Sequence, residues 1–338
     1  MMVVTGEAQR EAWQRRALPP IEQPRAGLWS IPVPIPDNPM RYTLSYAFVG
    51  DDGIVLVDPG WDSPDGRDRL TEGLAFADAT PADVRGIVLT HVHPNHHGMT
   101  GWLRETSGAW VGMHPVEAST LPARAWTDRH HPGTDPGWLR RQGVPAAEVT
   151  GLSVRPERLE ALLAMAEPDR LLEDGDLLPM TGRAVRAVWT PGHTPGHLCL
   201  HDAEAGILLT GDHLLPRITP NVAVLPTSTG DPLGAYLTSL DRTAAFDADE
   251  ALPAHEWRFR GLKARAAEVL DHHDKRDAEI LRAVDLLAEP TAWHIAASLS
   301  WSRGWDSLHG LLRRMALAGN ARALVAPCGN GHGRAYSR

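Results

Sequence analysis

The chain predicts a layered α/β fold whose strands end in histidine and aspartate side chains. Three observations carry this. The apolar run Gly86-Ile87-Val88-Leu89 reads as a short buried strand. It leads directly into Thr90-His91-Val92-His93-Pro94-Asn95-His96-His97-Gly98, which holds four histidines in seven residues. The same grammar recurs downstream: Ala184 to Trp189 precedes a Pro/Gly turn holding His193, Ile207 to Gly211 runs into Asp212, and Leu252-Pro253-Ala254 runs into His255. Side chains placed just past successive strands gather where the loops of such a fold meet. Crowded histidines are awkward to bury and unfavourable to charge together. A metal ion resolves both difficulties, because neutral imidazole is a common transition-metal ligand.

Each element follows in chain order. Residues 1–27 read as a leader, with an early helix and then Pro-rich coil. Leu28 to Ile35 and Tyr42 to Asp58 read as strands, with a turn at Gly50-Asp51-Asp52-Gly53. Leu70 to Ala77 has helical spacing, and Met99 to Thr106 suggests a helix beginning close to the histidine cluster. Ala109 to His114 is another strand, with His114 read as structural. Residues 115–170 carry Trp126, His130, His131, Trp138, Arg140 and Arg141 among Pro and Gly, and Leu159 to Ala166 has the spacing of an amphipathic helix. This segment reads as a helical insertion acting as lid or substrate wall. Trp126 and Trp138 are its candidate pocket residues, with core packing as the competing use of such rings. Leu198-Cys199-Leu200-His201 alternates as a strand, and Cys199 reads as core rather than catalytic. Gly261 to Glu289 is a long helix ended by Pro290. Trp293 to Ser300 and Leu308 to Leu317 read as two short helices, and Pro327 to Arg338 is Gly-rich without a strand pattern.

In this order the motifs resemble those of the metallo-β-lactamase superfamily: an HxHxDH-type cluster, a lone His in a Pro-Gly-His turn, an Asp after Gly and a final His, over roughly residues 28–260. The resemblance implies a four-layer αββα sandwich with the metals at one edge between the two sheets. It implies that His91, His93 and His193 hold a first metal, that His96 and His255 serve a second, and that Asp212 bridges the two. Asp58 would orient a ligand histidine. The expected divisions are a leader (1–27), a catalytic domain (28–260, with the 115–170 insertion) and a small helical, winged-helix-like extension (261–338) whose wing is expected to be missing or disordered.

One position departs from the pattern. Asn95 stands where the family carries Asp between the paired histidines. Its carbonyl oxygen is neutral, a weaker ligand for a dication, and it cannot act as a base at ordinary pH. The expected cofactor is therefore zinc in one tight site with a weak second site, Asn95 and Asp212 lying closest to the chemistry. Iron and manganese also accept a nitrogen and oxygen donor set. Flavodiiron-type relatives carry Glu where this chain has His93, which argues against that branch. Persulfide-dioxygenase relatives, which use one iron held by two His and an Asp, leave a minor iron reading open.

Three imidazoles leave one position of a tetrahedral zinc open for water, whose pKa falls to about 7. A metal held there would supply the nucleophile for a carbonyl, so no serine or cysteine nucleophile is required. The expected activity is hydrolysis of a small acyl substrate: a thioester, lactone or ester. Two alternatives stand beside it. One is an endoribonuclease using a basic C-terminal extension; the other is a low-activity relative impaired by Asn95. Residues 258–338 hold 13 Lys/Arg against 8 Asp/Glu, a balance of +5, whereas the whole chain is −9, leaving −14 for residues 1–257. An acidic catalytic body repels phosphate backbones, so nucleic acid is not the expected partner. A basic tail against an acidic body is compatible with a homodimer.

At 338 residues the chain exceeds one average domain, and 43% hydrophobic residues suffice for a core. No run is long enough to span a bilayer. The charged N-terminus lacks an apolar signal core, and two cysteines give no disulfide framework, so a cytoplasmic location is expected. Secreted zinc β-lactamases generally carry a signal peptide and often a cysteine ligand where Asp212 stands, so β-lactam hydrolysis is not expected.

Overall fold

Tyr42, Leu44, Tyr46 and Phe48 alternate along one strand with Thr43, Ser45 and Ala47. A period of two sends these sets to opposite faces of a sheet. The computed structural model describes residues 1–121, 135–153, 165–224, 230–288, 290–302 and 304–320, and shows what each face meets. Seven strands form one sheet in the order β2 (Glu22–Arg25), β3 (Leu28–Pro34), β4 (Tyr42–Gly50), β5 (Gly53–Val57), β6 (Val84–Val88), β7 (Trp110–Met113) and β8 (Arg170–Leu171). Six form the other, in the order β1 (Val3–Val4), β13 (Phe259–Arg260), β12 (Glu250–Pro253), β11 (Ile207–Gly211), β10 (Leu198–Asp202) and β9 (Val185–Trp189). Both sheets are mixed: β5 to β8 run parallel, as do β11 and β12, and the remaining pairs are antiparallel.

Tyr46, Phe48, Val57 and Val88 from the first sheet share a core with Ala187, Leu200, Leu209 and Leu252 from the second. On the far side of the seven-stranded sheet, Ile31, Leu56, Ile87 and Val111 pack on Leu70 and Leu74 of α2 (Pro64–Ala75) and Leu103 of α4 (Thr100–Ser107). The helix Pro232–Ala244 lies against the six-stranded sheet, where Tyr236 Oη donates to the His213 carbonyl at 2.9 Å and Ser239 Oγ to the Pro191 carbonyl at 2.9 Å. The layers are thus α, β, β, α, the sandwich the sequence resemblance implies.

Three local differences from the sequence expectation have physical reasons. Residues 1–27, expected as an early helix and Pro-rich coil, also carry strands: β1 pairs with β13 and β2 with β3, adding an edge strand to each sheet. Strands of two and four residues are too short to show a period. Between them α1 (Glu7–Arg15) buries Gln9, whose Oε1 accepts from the Arg258 N–H at 2.9 Å. Helix α2 starts ahead of Leu70, because Ser63 caps it by accepting from the Gly66 N–H and Pro64 fits its first position. Pattern alone gives no helix over Pro232–Ala244, where Asp231 accepts from the Gly234 N–H at 3.0 Å and supplies the start.

The chain divides into two compact units. The first takes Met1–Arg129, Pro156–Pro220 and Ala235–Glu268; the second takes His130–Arg155, Asn221–Gly234 and Val269–Arg338. The second unit is helical. Its core joins Trp138, Leu139, Val149 and Leu152 to Ala292 and Leu317, so the helices Asp135–Arg141 and Ala146–Leu152 of the expected insertion pack with the C-terminal helices Ala292–Ser298 and Gly310–Asn320. Among the described residues no strand follows β13, and the C-terminal extension is helical. Trp126, His130, His131, most of Leu159 to Ala166 and the Pro327 to Arg338 tail lie outside the described residues.

Candidate metal centre

Strands β9, β11 and β12 point the same way, since β10 runs against both of its neighbours and β11 and β12 are parallel. Their C-terminal ends deliver His193, Asp212 and His255. The parallel strands β5 and β6 deliver Asp58 and His91. Beyond β6 the chain turns into the single helical turn α3 (Pro94–His97), which carries His96. The structure brings these side chains together. His91, His93, His193 and Asp212 form one group and His96, Asp212 and His255 another, the ligand atoms of each lying within 4.8 Å of one another.

The first group has the spacing of a small tetrahedral ion. His93 Nδ1 stands 2.9 Å from His91 Nε2 and 3.2 Å from His193 Nε2. Nitrogens bound to zinc at about 2.0–2.1 Å in tetrahedral angles are separated by roughly 3.3 Å. Asp212 spans both groups: Oδ2 is 3.5 Å from His193 Nε2 and 3.9 Å from His91 Nε2, and Oδ1 is 3.6 Å from His96 Nε2 and 3.2 Å from His255 Nε2. His96 Nε2 is buried without a hydrogen-bond partner, an orphaned atom that a cation would satisfy. The donor set therefore fits a metal. His91, His96 and His255 are buried, while His93, Asn95 and His193 are partly exposed.

Asp58 orients two of the histidines. It is buried, and its Oδ1 accepts from the Thr90 N–H at 2.8 Å. Its Oδ2 accepts from Thr90 Oγ1 at 2.6 Å and from His96 Nδ1 at 2.8 Å. Having donated its proton to Asp58, the Thr90 hydroxyl accepts from His91 Nδ1 at 3.0 Å. Both rings are thereby held with Nε2 facing the centre, the nitrogen that a metal would take in place of a proton. His255 is set the same way, with Nδ1 donating to the Tyr42 carbonyl at 2.7 Å.

The electrostatics follow from burial and crowding. Burial, with the neighbouring imidazoles His96, His93 and His193, holds His91 well below the ordinary histidine range; burial and His193 hold His93 at about 3. Burial also acts to lower His96, but the Asp212 and Asp58 carboxylates outweigh it and hold that ring up at about 10. Burial would raise Asp212, but His255 and His96 overcome it and keep the carboxylate ionised. The cluster thus presents neutral lone pairs on one side and a demand for positive charge on the other.

Asn95 takes part differently. Its Nδ2 lies 3.2 Å from His255 Nε2. Asp212 Oδ1 stands at the same 3.2 Å from that nitrogen, so an ionised carboxylate and a neutral amide face the His255 ring together. Of the two expected pocket residues, Trp126 lies outside the described residues. Trp138 is 5% exposed in the core of the helical unit, with the Arg314 guanidinium 5.4 Å from its ring centre. The ring expected at a substrate wall is core material there. Cys199 is fully buried, and burial pushes its thiol up to about 12, consistent with core packing.

Sequence reasoning missed three supporting residues. Thr90 relays Asp58 to His91. His197 Nε2 accepts from the Asp212 N–H at 3.2 Å, while its Nδ1 donates to Thr190 Oγ1 at 2.9 Å. Glu117 receives hydrogen bonds from two of the ligand loops. Threonine and histidine beside the motifs were visible signals; a lone Glu after His114-Pro115 gave none.

The chain belongs to the metallo-beta-lactamase superfamily: that family's model matches residues 39–255. It is similar to a solved metallo-beta-lactamase family protein of Thermus thermophilus, at 30% identity and TM-score 0.72, covering 89% of this chain and 92% of that one. It is also similar to lactamase-like protein adaB of Aspergillus niger, 33% identical over 114 residues, which are 34% of this chain and 33% of the relative. An atrochrysone carboxyl ACP thioesterase of Paecilomyces divaricatus is 31% identical over 153 residues, 44% of this chain and 46% of the relative. The chain thus spans less than half the length of these two fungal relatives. No helix among the described residues is long and apolar enough to cross a membrane.

Proposed function

We propose that the protein is a metal-dependent hydrolase of a small acyl substrate, with a thioester as the first candidate and a lactone or ester behind it. The convergence of His91, His93 and His193 ring nitrogens beside an ionised Asp212 carries this reading. The thioesterase among the similar proteins supports the choice of acyl group. Zinc is the proposed metal, since three neutral nitrogens and a carboxylate suit it. A metal held there supplies a Lewis acid for the substrate carbonyl and lowers the pKa of a coordinated water to about 7.

The chain's own residues do the rest. Asn95, partly exposed beside the ligand histidines, orients the acyl group, while the buried histidines exclude water from behind. Asp212, kept ionised by His255 and His96, supplies the negative charge that a cation held by either group would need. Asn95, a neutral amide, cannot accept a proton from the attacking water. A panel of acyl thioesters, lactones and esters tests the proposal. Chelation should abolish turnover of the accepted class and zinc should restore it; turnover indifferent to the chelator contradicts it.

Asn95 supports a single-metal centre, because beside His255 it offers a neutral amide where a carboxylate would bind a dication more firmly. Asn95→Asp adds a charged oxygen facing His96 and His255. In a partly buried site that charge should tighten the second ion by about tenfold or more. Elemental analysis should find near one equivalent in the wild type and near two in the variant. Two firmly held equivalents in both would mean that Asn95 is a competent ligand.

A further inference from the structure

Glu117 is a fully buried carboxylate that no step above uses. It sits in α5 (Pro115–Ala118), the short helix that follows β7. Its two oxygens serve two different loops. Oε1 accepts from the Val92 N–H at 2.7 Å, between His91 and His93; Oε2 accepts from the Gly196 N–H at 2.8 Å, in the loop that carries His193. The second loop is also pressed against the helix: a Cβ on Gly196 would stand 2.3 Å from Glu117 N and 2.5 Å from Glu117 Cβ.

The helix itself is anchored. His114 Nδ1 caps it by accepting from the Val116 N–H at 3.2 Å, and the His114 ring stacks on Trp189, the last residue of β9, at 4.9 Å and 6°. Trp189 Nε1 in turn donates to the Pro195 carbonyl at 3.0 Å. Burying a carboxylate is costly and pushes Glu117 up to about 7, with the Val92 and Gly196 N–H groups pulling the other way. An apolar residue would fill the space without that cost but could not hold two backbone donors at a fixed separation.

We propose that Glu117 is a positioning residue that sets the distance between the His91–His93 loop and the His193 loop, and hence the bite of the three-histidine site. This rests on the reading of that site as a metal centre. Glutamine at 117 offers one acceptor and one donor, so one of the two N–H groups would face another donor. Gly196→Ala presses on the same contact from the opposite side. Gly196 is not in the left-handed region, so only space is at stake.

The test uses the full chain and two probes, zinc and cobalt(II). Zinc dissociation constants come from competition with a chelator, cobalt(II) visible spectra report ligand geometry, and circular dichroism with thermal melting follows the metal-free proteins. Glu117→Gln and Gly196→Ala should each weaken zinc binding by about 10–100-fold and change the cobalt band shape. If the glutamine variant does not fold, the alanine variant decides alone. Variants that melt lower yet bind zinc within about twofold of wild type, with an unchanged cobalt spectrum, overturn the positioning role and leave the metal centre standing. A wild type that binds neither metal overturns the metal centre itself.

Discussion

Replacing His193 by alanine is expected to remove the metal and the activity together. His193 is the one histidine of the first group that comes from the six-stranded sheet's side of the cleft; His91 and His93 come from a single loop after β6. Without it, two imidazoles from one loop and one side of Asp212 remain, too few to hold an ion in a closed tetrahedral set. The Lewis acid is worth several kcal/mol of transition-state stabilisation, and each ~1.36 kcal/mol is tenfold in rate. Turnover should therefore fall at least about a thousandfold, with metal content near zero and the fold intact by circular dichroism. Full metal content and turnover in His193→Ala would place the centre elsewhere.

Asp58→Asn is expected to be the next most damaging change, although Asp58 touches no substrate. Three donors converge on this carboxylate: the Thr90 N–H, the Thr90 hydroxyl and His96 Nδ1. The backbone there has φ of 51°, which asparagine tolerates as readily as aspartate, so the substitution isolates the carboxylate's charge and acceptor capacity. An amide offers one acceptor oxygen, and its NH2 would meet one of the three donors. Removing one side of such a buried charged network costs about 3–5 kcal/mol of stability. It also frees the His96 ring and, through Thr90, the His91 ring, so metal affinity should drop by about 10–100-fold. Thermal melting and chelator competition read the two effects separately. An Asp58→Asn variant that melts and binds like wild type would show that the relay orients nothing.

The candidate ligands were legible in the sequence because each stands close behind an apolar run, and strand direction then brings those ends to one edge. His91, His93, His96, His193, Asp212 and His255 all share that grammar. The supporting residues were not legible, because their partners are distant in sequence: Glu117 reaches Val92 and Gly196 through loops that only the fold brings together. The edge strands β1 and β2 were hidden by their length, and their pairing depends on sheets already formed. Trp138 illustrates the limit for aromatic residues. A Trp among Pro and Gly suits a substrate wall or a core equally in composition, and the apolar partners Leu317 and Ala292, far along the chain, put it in the core.

The most direct measurement is a zinc titration of the chelated protein, with thioester hydrolysis followed at each step. Hydrolysis should rise in proportion to the first equivalent and level off at one, matching a filled His91–His93–His193 site and a second site weakened by the neutral side chain of Asn95. Hydrolysis that proceeds without metal would contradict the metal-centred mechanism, and a rise that continues to two equivalents would contradict the single-metal site.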